Sequence, residues 1–226
     1  SDFKVLCKKD LTKREAMQFA LRIRQDYRVH MIMDNLPAAT RMISELPDGK
    51  TVTMYDRGYR LGFVGAKVPC PHGPADGDDG FRKNVAYFKA QREKVGPDFP
   101  LSLDCYMALT VPYTIKLAKA LAPIGLKWIE EFLPPDDYEG YAEVRKALAG
   151  TGVLTTTAEH EYTRYGFRKL IADRAVDVLQ PDITWLGGVT EARRVVAMAA
   201  GFDVPVVPHG SSVYSYHLQL AFANCP

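Results

Sequence analysis

Three carboxylates carry the first chemical signal in the chain. Leu101-Ser-Leu103 runs into Asp104, Leu126-Lys-Trp-Ile129 runs into Glu130 and Glu131, and Val153-Leu-Thr-Thr-Thr-Ala158 runs into Glu159. Buried parallel strands read as short apolar runs of this kind, so an acid at the end of one belongs at the rim of its sheet. Asp104 and Glu130 lie 26 positions apart and Glu130 and Glu159 lie 29 apart. Each interval fits one strand plus one helix, which would gather the three side chains at one rim of a barrel. Three oxygen ligands with no thiolate among them suit a hard cation such as Mg²⁺. Taken singly, each acid also reads as a solvated strand end or a helix cap. Three in register point to a site.

Two further runs add an imidazole with its own carboxylate. Gln180-Pro-Asp182 closes one predicted strand and Val207-Pro-His209 closes the next. An Asp and a His on adjacent strand ends can pair, the carboxylate orienting the ring and stabilising its cation, which makes the His a better base. Lys67, near the end of an earlier run, is either a cation of the same rim or a solvated strand-end lysine. Gly187-Gly188 lacks the G-x-G-x-x-G pattern of a nucleotide loop. His160 alternates away from Glu159 and is read as lying outside the core of the site. His72 falls in a loop where it could touch substrate or simply face solvent, and His30 and His217 have no partner legible in the sequence.

The elements that must position these groups alternate. The predicted strands are Thr51–Tyr55, Gly62–Pro69, Leu101–Asp104, Leu126–Glu130, Val153–Glu159, Val176–Asp182 and Val204–Pro208. Between them helices are predicted over Phe81–Val95, Pro112–Ala122, Tyr138–Leu148, Tyr162–Ala172 and Val189–Ala200, with a last one near Ser212–Ala221. Alternation of this sort specifies an α/β fold with a parallel sheet, here a TIM-type (β/α) barrel one strand short of closure. One spacing resists. Six residues separate Tyr55 from Gly62, whereas parallel neighbours need a crossover of about a dozen. Either Thr51–Tyr55 is not a barrel strand or residues are missing from the numbering there; the stop at Pro226, before an eighth strand, favours the second. Residues 1–50 hold a possible helix with Ala16, Ala20 and Ile23 on one face, then turns at Asp34–Pro37 and Pro47–Gly49. They read as the remnant of a separate N-terminal segment, and 51–226 as the barrel.

Bulk properties fit this reading. The 226 residues are 47% hydrophobic and 25% charged, with a net charge of +2. So near neutrality, nothing argues for nucleic acid or an anionic membrane as partner. No apolar run approaches the ~18–20 residues of a spanning helix. The four cysteines are scattered without a C-x-x-C pair, as reduced thiols of a cytoplasmic protein would be.

The ordered set Asp104, Trp128-Ile-Glu130-Glu-x-x-Pro-Pro-Asp136, Glu159-His160, Gln180-Pro-Asp182, Gly187-Gly-Val-Thr-Glu191 and Pro208-His-Gly-Ser-Ser-Val-Tyr-Ser-Tyr-His217 resembles the enolase superfamily. Within it the likeness is to the mandelate-racemase-like acid-sugar dehydratases, most of all the L-rhamnonate dehydratases, from about Gly62 to Pro226. The resemblance implies a (β/α)7β barrel, usually a homo-oligomer, that holds Mg²⁺ on Asp104, Glu130 and Glu159. It implies that His209, oriented by Asp182, takes the proton next to the substrate carboxylate and helps the 3-hydroxyl leave as water. Relatives with a Lys-x-Lys base carry a second lysine; here Lys67 is followed by Val68-Pro69, leaving Lys67 to meet substrate. Residues 1–50 do not align with the family's N-terminal capping domain, and the eighth strand with its glutamate is not in the sequence. The substrate implied is an acid sugar, L-rhamnonate foremost. L-Fuconate and L-galactonate are the alternatives, and a non-catalytic barrel scaffold the reading from another class.

Overall fold

The computed structural model describes residues 65–210 and 213–226, together with two short backbone segments, Ser44–Glu45 (β1) and Thr51–Val52 (β2). The helix and turns expected in residues 1–50 lie outside the described residues, as does the expected break between Tyr55 and Gly62. Thr51–Val52 pairs antiparallel with Ser44–Glu45 in a two-stranded sheet of its own. The expectation that Thr51 opens the barrel is therefore corrected: an antiparallel partner six residues upstream needs only a turn, where a parallel one would need a long crossover.

The main sheet has five parallel strands in sequence order, Ala66–Pro69 (β3), Leu101–Asp104 (β4), Leu126–Glu130 (β5), Leu154–Thr157 (β6) and Val178–Leu179 (β7). A single parallel bridge, Leu179 to Val206, continues it, and the bond from His209 N–H to Pro181 O (3.0 Å) carries the pairing to the rim. The outer strands are shorter than expected. Val176–Asp182 contracts to two residues, and Val204–Pro208 to one bridge partner. Proline at 181, 205 and 208 removes the N–H groups a longer ladder requires.

Helices cross between the strands: Gly77–Val95 (α1), Val111–Leu121 (α2), Tyr138–Ala147 (α3), Thr163–Ala172 (α4), Ile183–Leu186 (α5), Val189–Ala200 (α6) and Val213–Ala221 (α7). The core lies between them and the sheet, with Val68, Leu101, Leu103, Ile129 and Leu179 of the strands against Phe88, Leu117, Leu121, Phe167, Leu170 and Val195 of the helices, all fully buried. Helix α1 buries Gly80, Asn84, Phe88 and Gln91, with Phe81 and Val85 half-buried against the core. Asn84 tolerates this because its amide is fully used, donating to His72 O (2.8 Å) and the Tyr113 hydroxyl (3.1 Å) and accepting from His72 N–H (3.1 Å).

Register decides where the acids fall. Leu101 pairs with Leu126 but Leu103 with Ile129, an irregularity that gives β5 one extra residue. The offset brings Asp104 opposite Glu130. Across the next pairing Glu130 stands opposite Thr156, so Glu159 is not a strand-end residue. It lies past the end of β6, beyond Ala158, whose φ of 99° turns the chain.

Candidate active site

At the carboxyl ends of β3, β4 and β5 the acids meet a lysine. Lys67 Nζ lies 3.0 Å from Asp104 Oδ2 and 2.5 Å from Glu130 Oε1. Glu130 is fully buried, and its other oxygen accepts from Trp128 Nε1–H at 3.1 Å. Burial pushes the Glu130 carboxyl up, to about 7, against the opposing pull of Lys67; Asp104 adds to the rise. Burial alone would lower Lys67, but Glu130 and Asp104 outweigh it and hold the ammonium above its ordinary range. This end of the sheet is a place where positive charge between two carboxylates is favoured.

Glu159 joins from the loop after β6. Burial raises its carboxyl, with His209 acting against that rise. The His209 ring is held on one side, Nδ1 donating to Asp182 Oδ2 at 2.9 Å. Its Nε2 is buried, makes no hydrogen bond among the described residues, and comes within 3.4 Å of Glu159 Oε2. Asp182 does two jobs: its other oxygen caps α5, accepting from the Thr184 and Trp185 N–H groups at 2.8 and 3.0 Å. Anchored to a helix N-terminus, the carboxylate fixes the imidazole it orients. A buried, oriented ring nitrogen with no partner of its own is what a proton-transferring base requires.

The sequence reading passed over one unit of the site. Glu131 is buried, has a φ of 45°, and its Oε2 lies 2.6 Å from His160 Nδ1. His160 Nε2 in turn comes within 3.9 Å of Glu159 Oε1. Among the described residues, Glu131, Glu159 and His160 offer ligand atoms all within 4.8 Å of one another, close enough to share an ion. This cluster shares only Glu159 with the expected trio, because Lys67 and Trp128 hold Glu130 toward the other side. The two sets differ in chemistry. Asp104, Glu130 and Glu159 offer oxygen alone and suit a hard cation, whereas the second set includes a nitrogen already committed to Glu131. By donor chemistry the oxygen trio suits a Mg²⁺-type ion; in the structure Asp104 and Glu130 meet on Lys67, while the ligand atoms of Glu159 are gathered with those of Glu131 and His160. The adjacent glutamates 130 and 131 could have flagged the second unit, but alternation along a strand set His160 aside.

The remaining histidines stand apart. His72 sits in the loop after β3 with its ring 3.5 Å from Asp76 and its N–H on Asn84; His217 is exposed on α7, and His30 lies outside the described residues.

Comparison with known proteins gives two family matches. Residues 54–226 match the model described as enolase C-terminal domain-like. Residues 1–92 match that of endomembrane protein 70, overlapping the first across β3 and most of α1, which here are built into the parallel α/β sheet; among the described residues no helix is long and apolar enough to cross a membrane. The chain is 50% identical over 171 residues to an L-rhamnonate dehydratase of Saccharopolyspora erythraea, a match covering 76% of this chain and 44% of that one. It superposes on the structure of rhamnonate dehydratase from Gibberella zeae complexed with Mg at a TM-score of 0.70, with 54% identity, covering 73% of this chain and 40% of the other. A racemase from Streptomyces coelicolor with bound magnesium aligns at a TM-score of 0.67 and 31% identity, over 75% and 45% of the two chains. The chain thus spans less than half the length of these relatives.

Proposed function

We propose, starting from the fact that this chain belongs to the enolase C-terminal domain-like family, that it is the barrel part of a Mg²⁺-dependent L-rhamnonate dehydratase. It would convert L-rhamnonate to 2-keto-3-deoxy-L-rhamnonate and water. The observation that carries this reading is the buried His209 Nε2, oriented through Nδ1 by Asp182 and facing Glu159 across 3.4 Å. The likeness to the dehydratases of Saccharopolyspora erythraea and Gibberella zeae supports it.

In this reading Asp104, Glu130 and Glu159 hold the ion. When bound, Mg²⁺ supplies Lewis-acid stabilisation of the negative charge that collects on the substrate carboxylate. His209 Nε2 takes the proton from the carbon next to that carboxylate. Asp182 keeps the ring in the tautomer whose Nε2 is bare and stabilises the imidazolium that results. The same imidazolium then returns its proton to the departing 3-hydroxyl, so one side chain serves both transfers. Lys67 offsets one of the negative charges of Asp104 and Glu130 and, with the acids committed to a cation, is left to meet substrate oxygens. Residues 1–50 are the remainder of a capping segment, and the part from the mid-fifties onward is the barrel. The protein works as a cytoplasmic homo-oligomer, a placement that the free thiols of Cys70 and Cys105 support.

The test is a panel of acid sugars, L-rhamnonate, L-fuconate and L-galactonate among them, assayed with Mg²⁺ for 2-keto acid formation. L-Rhamnonate should give the highest kcat/KM. Preference for another sugar would reassign the substrate, and no turnover of any would leave the scaffold reading.

A further inference from the structure

The two oxygens of Glu130 meet donors of different kinds. Oε1 accepts from the Lys67 ammonium at 2.5 Å, and Lys67 also reaches Asp104 Oδ2 at 3.0 Å. Oε2 accepts from the Trp128 indole N–H at 3.1 Å. Lys67 is a cation that another cation can replace between the same two carboxylates. Trp128 is neutral, and its bond to Oε2 needs no such exchange. It has no part in the reaction above.

The strand builds this contact. Trp128 and Glu130 stand two apart on β5 and so face the same side, while Ile129 between them points into the helix-covered core and is fully buried. The register irregularity of β5 falls between Leu126 and Ile129, the stretch that holds Trp128. A bulge of this kind re-aims the side chains it carries. The indole is half-buried, beside a carboxylate that no solvent reaches. If the bond to Oε2 is lost there, water does not replace it. A proton directed at Oε2 also makes that oxygen a poor ligand for a cation, because the N–H brings positive charge to the lone pairs a cation would use. What remains for an ion is Oε1, on the side of Lys67 and Asp104.

We infer that Trp128 is the positioning residue of Glu130 and a determinant of ion choice: by holding Oε2 it confines Glu130 to coordination through Oε1 alone, which favours Mg²⁺ over Ca²⁺. Mg²⁺ demands a near-octahedral shell of single oxygens at about 2.0–2.1 Å, whereas Ca²⁺ also accepts a carboxylate through both oxygens, at about 2.3–2.6 Å. Without the indole N–H, Glu130 is free to turn and offer both. The inference rests on the reading that Glu130 is a ligand of the ion. It adds which oxygen binds and what selects the smaller ion.

The experiment titrates Mg²⁺ and Ca²⁺ separately, by calorimetry without substrate, into the wild type and Trp128→Phe, which keeps an aromatic ring and removes the N–H. Mg²⁺ affinity should fall about 10- to 100-fold, the usual cost of removing a hydrogen-bond partner of a metal ligand. Ca²⁺ affinity should fall far less, so that the preference for Mg²⁺ drops by at least about fivefold. A loss of packing alone would weaken both ions alike and leave the ratio unchanged. Should W128F not fold, the wild type carries the test by itself through the indole N–H resonance of Trp128, assigned against Trp185→Phe. That proton should stay slow to exchange with solvent when Mg²⁺ binds; fast exchange in the Mg²⁺ complex would overturn the inference. An unchanged ratio in W128F, with both ions bound by the wild type, would also overturn it and leave Glu130 as a ligand. Binding of neither ion by the wild type would overturn the inference together with the metal reading.

Discussion

Among single residues, the charge on Lys67 is what lets Asp104 and Glu130 stand side by side. With the ammonium 3.0 and 2.5 Å from the two carboxylates, removing it as in Lys67→Met leaves the half-buried Asp104 facing the buried Glu130. Breaking a fully buried pair costs about 3–5 kcal/mol; Lys67 is 27% exposed, which reduces the expected loss to about 1–3 kcal/mol. Mg²⁺ offers the same acids a replacement cation. At equal saturating Mg²⁺ the thermal midpoint of K67M should therefore rise more than that of the wild type, the excess being set by the ratio of the two Kd values, about 1.4 kcal/mol for each tenfold. Equal shifts in the two proteins would mean that the ion does not share these carboxylates with Lys67.

At the scale of elements, the site depends on turns as much as on strands. Glu159 reaches it because Ala158, buried and at φ 99°, bends the chain after β6. A β-branched residue there meets both backbone and packing resistance. Ala158→Val should destabilise by about 2–4 kcal/mol in denaturant unfolding and weaken Mg²⁺ binding by displacing Glu159; an unchanged midpoint would show that the turn relaxes freely. A second joint is electrostatic. Glu191, on the first turn of α6, is held down at about 2, chiefly by the Arg164 N–H at 2.8 Å, then by the Arg164 and Arg194 guanidinium groups against the effect of burial. An acid depressed on folding stabilises above its unfolded value near 4.5 and loses that contribution as pH falls toward about 2. The difference in thermal midpoint between wild type and Glu191→Gln should thus be full above pH 5 and shrink steadily below 4.5. These joints also mark the limit of what sequence patterns convey. Strands β4 and β5 and helix α6 are legible because their periodicity and their boundaries coincide, and so Asp104 and Glu130 are found in place. Helix α5 is too short to show a period, and the α1 face is hidden because Gly80, Asn84 and Gln91 do not look apolar. The Glu131–His160 pair escapes because a left-handed residue breaks the alternation on which strand reading relies.

For the whole molecule, five parallel strands and one further bridge set their carboxyl ends around a single cluster. The cluster holds a lysine, five acids (Asp104, Glu130, Glu131, Glu159 and Asp182) and two imidazoles. In the proposed reaction the acids would seat the cation and the His209–Asp182 pair would carry the proton. The central claim is that His209 takes the α-proton. It is tested most directly with L-rhamnonate deuterated at C2, following the label by NMR in Mg²⁺-containing water with the wild type and with His209→Asn. The wild type should lose the label as the 2-keto-3-deoxy acid forms. H209N should bind Mg²⁺ with nearly unchanged affinity yet retain the label, its product formation reduced by at least the roughly 10²–10⁴-fold worth of a general base. Label loss from H209N at close to the wild-type rate would contradict the account, since another group would then be removing the proton.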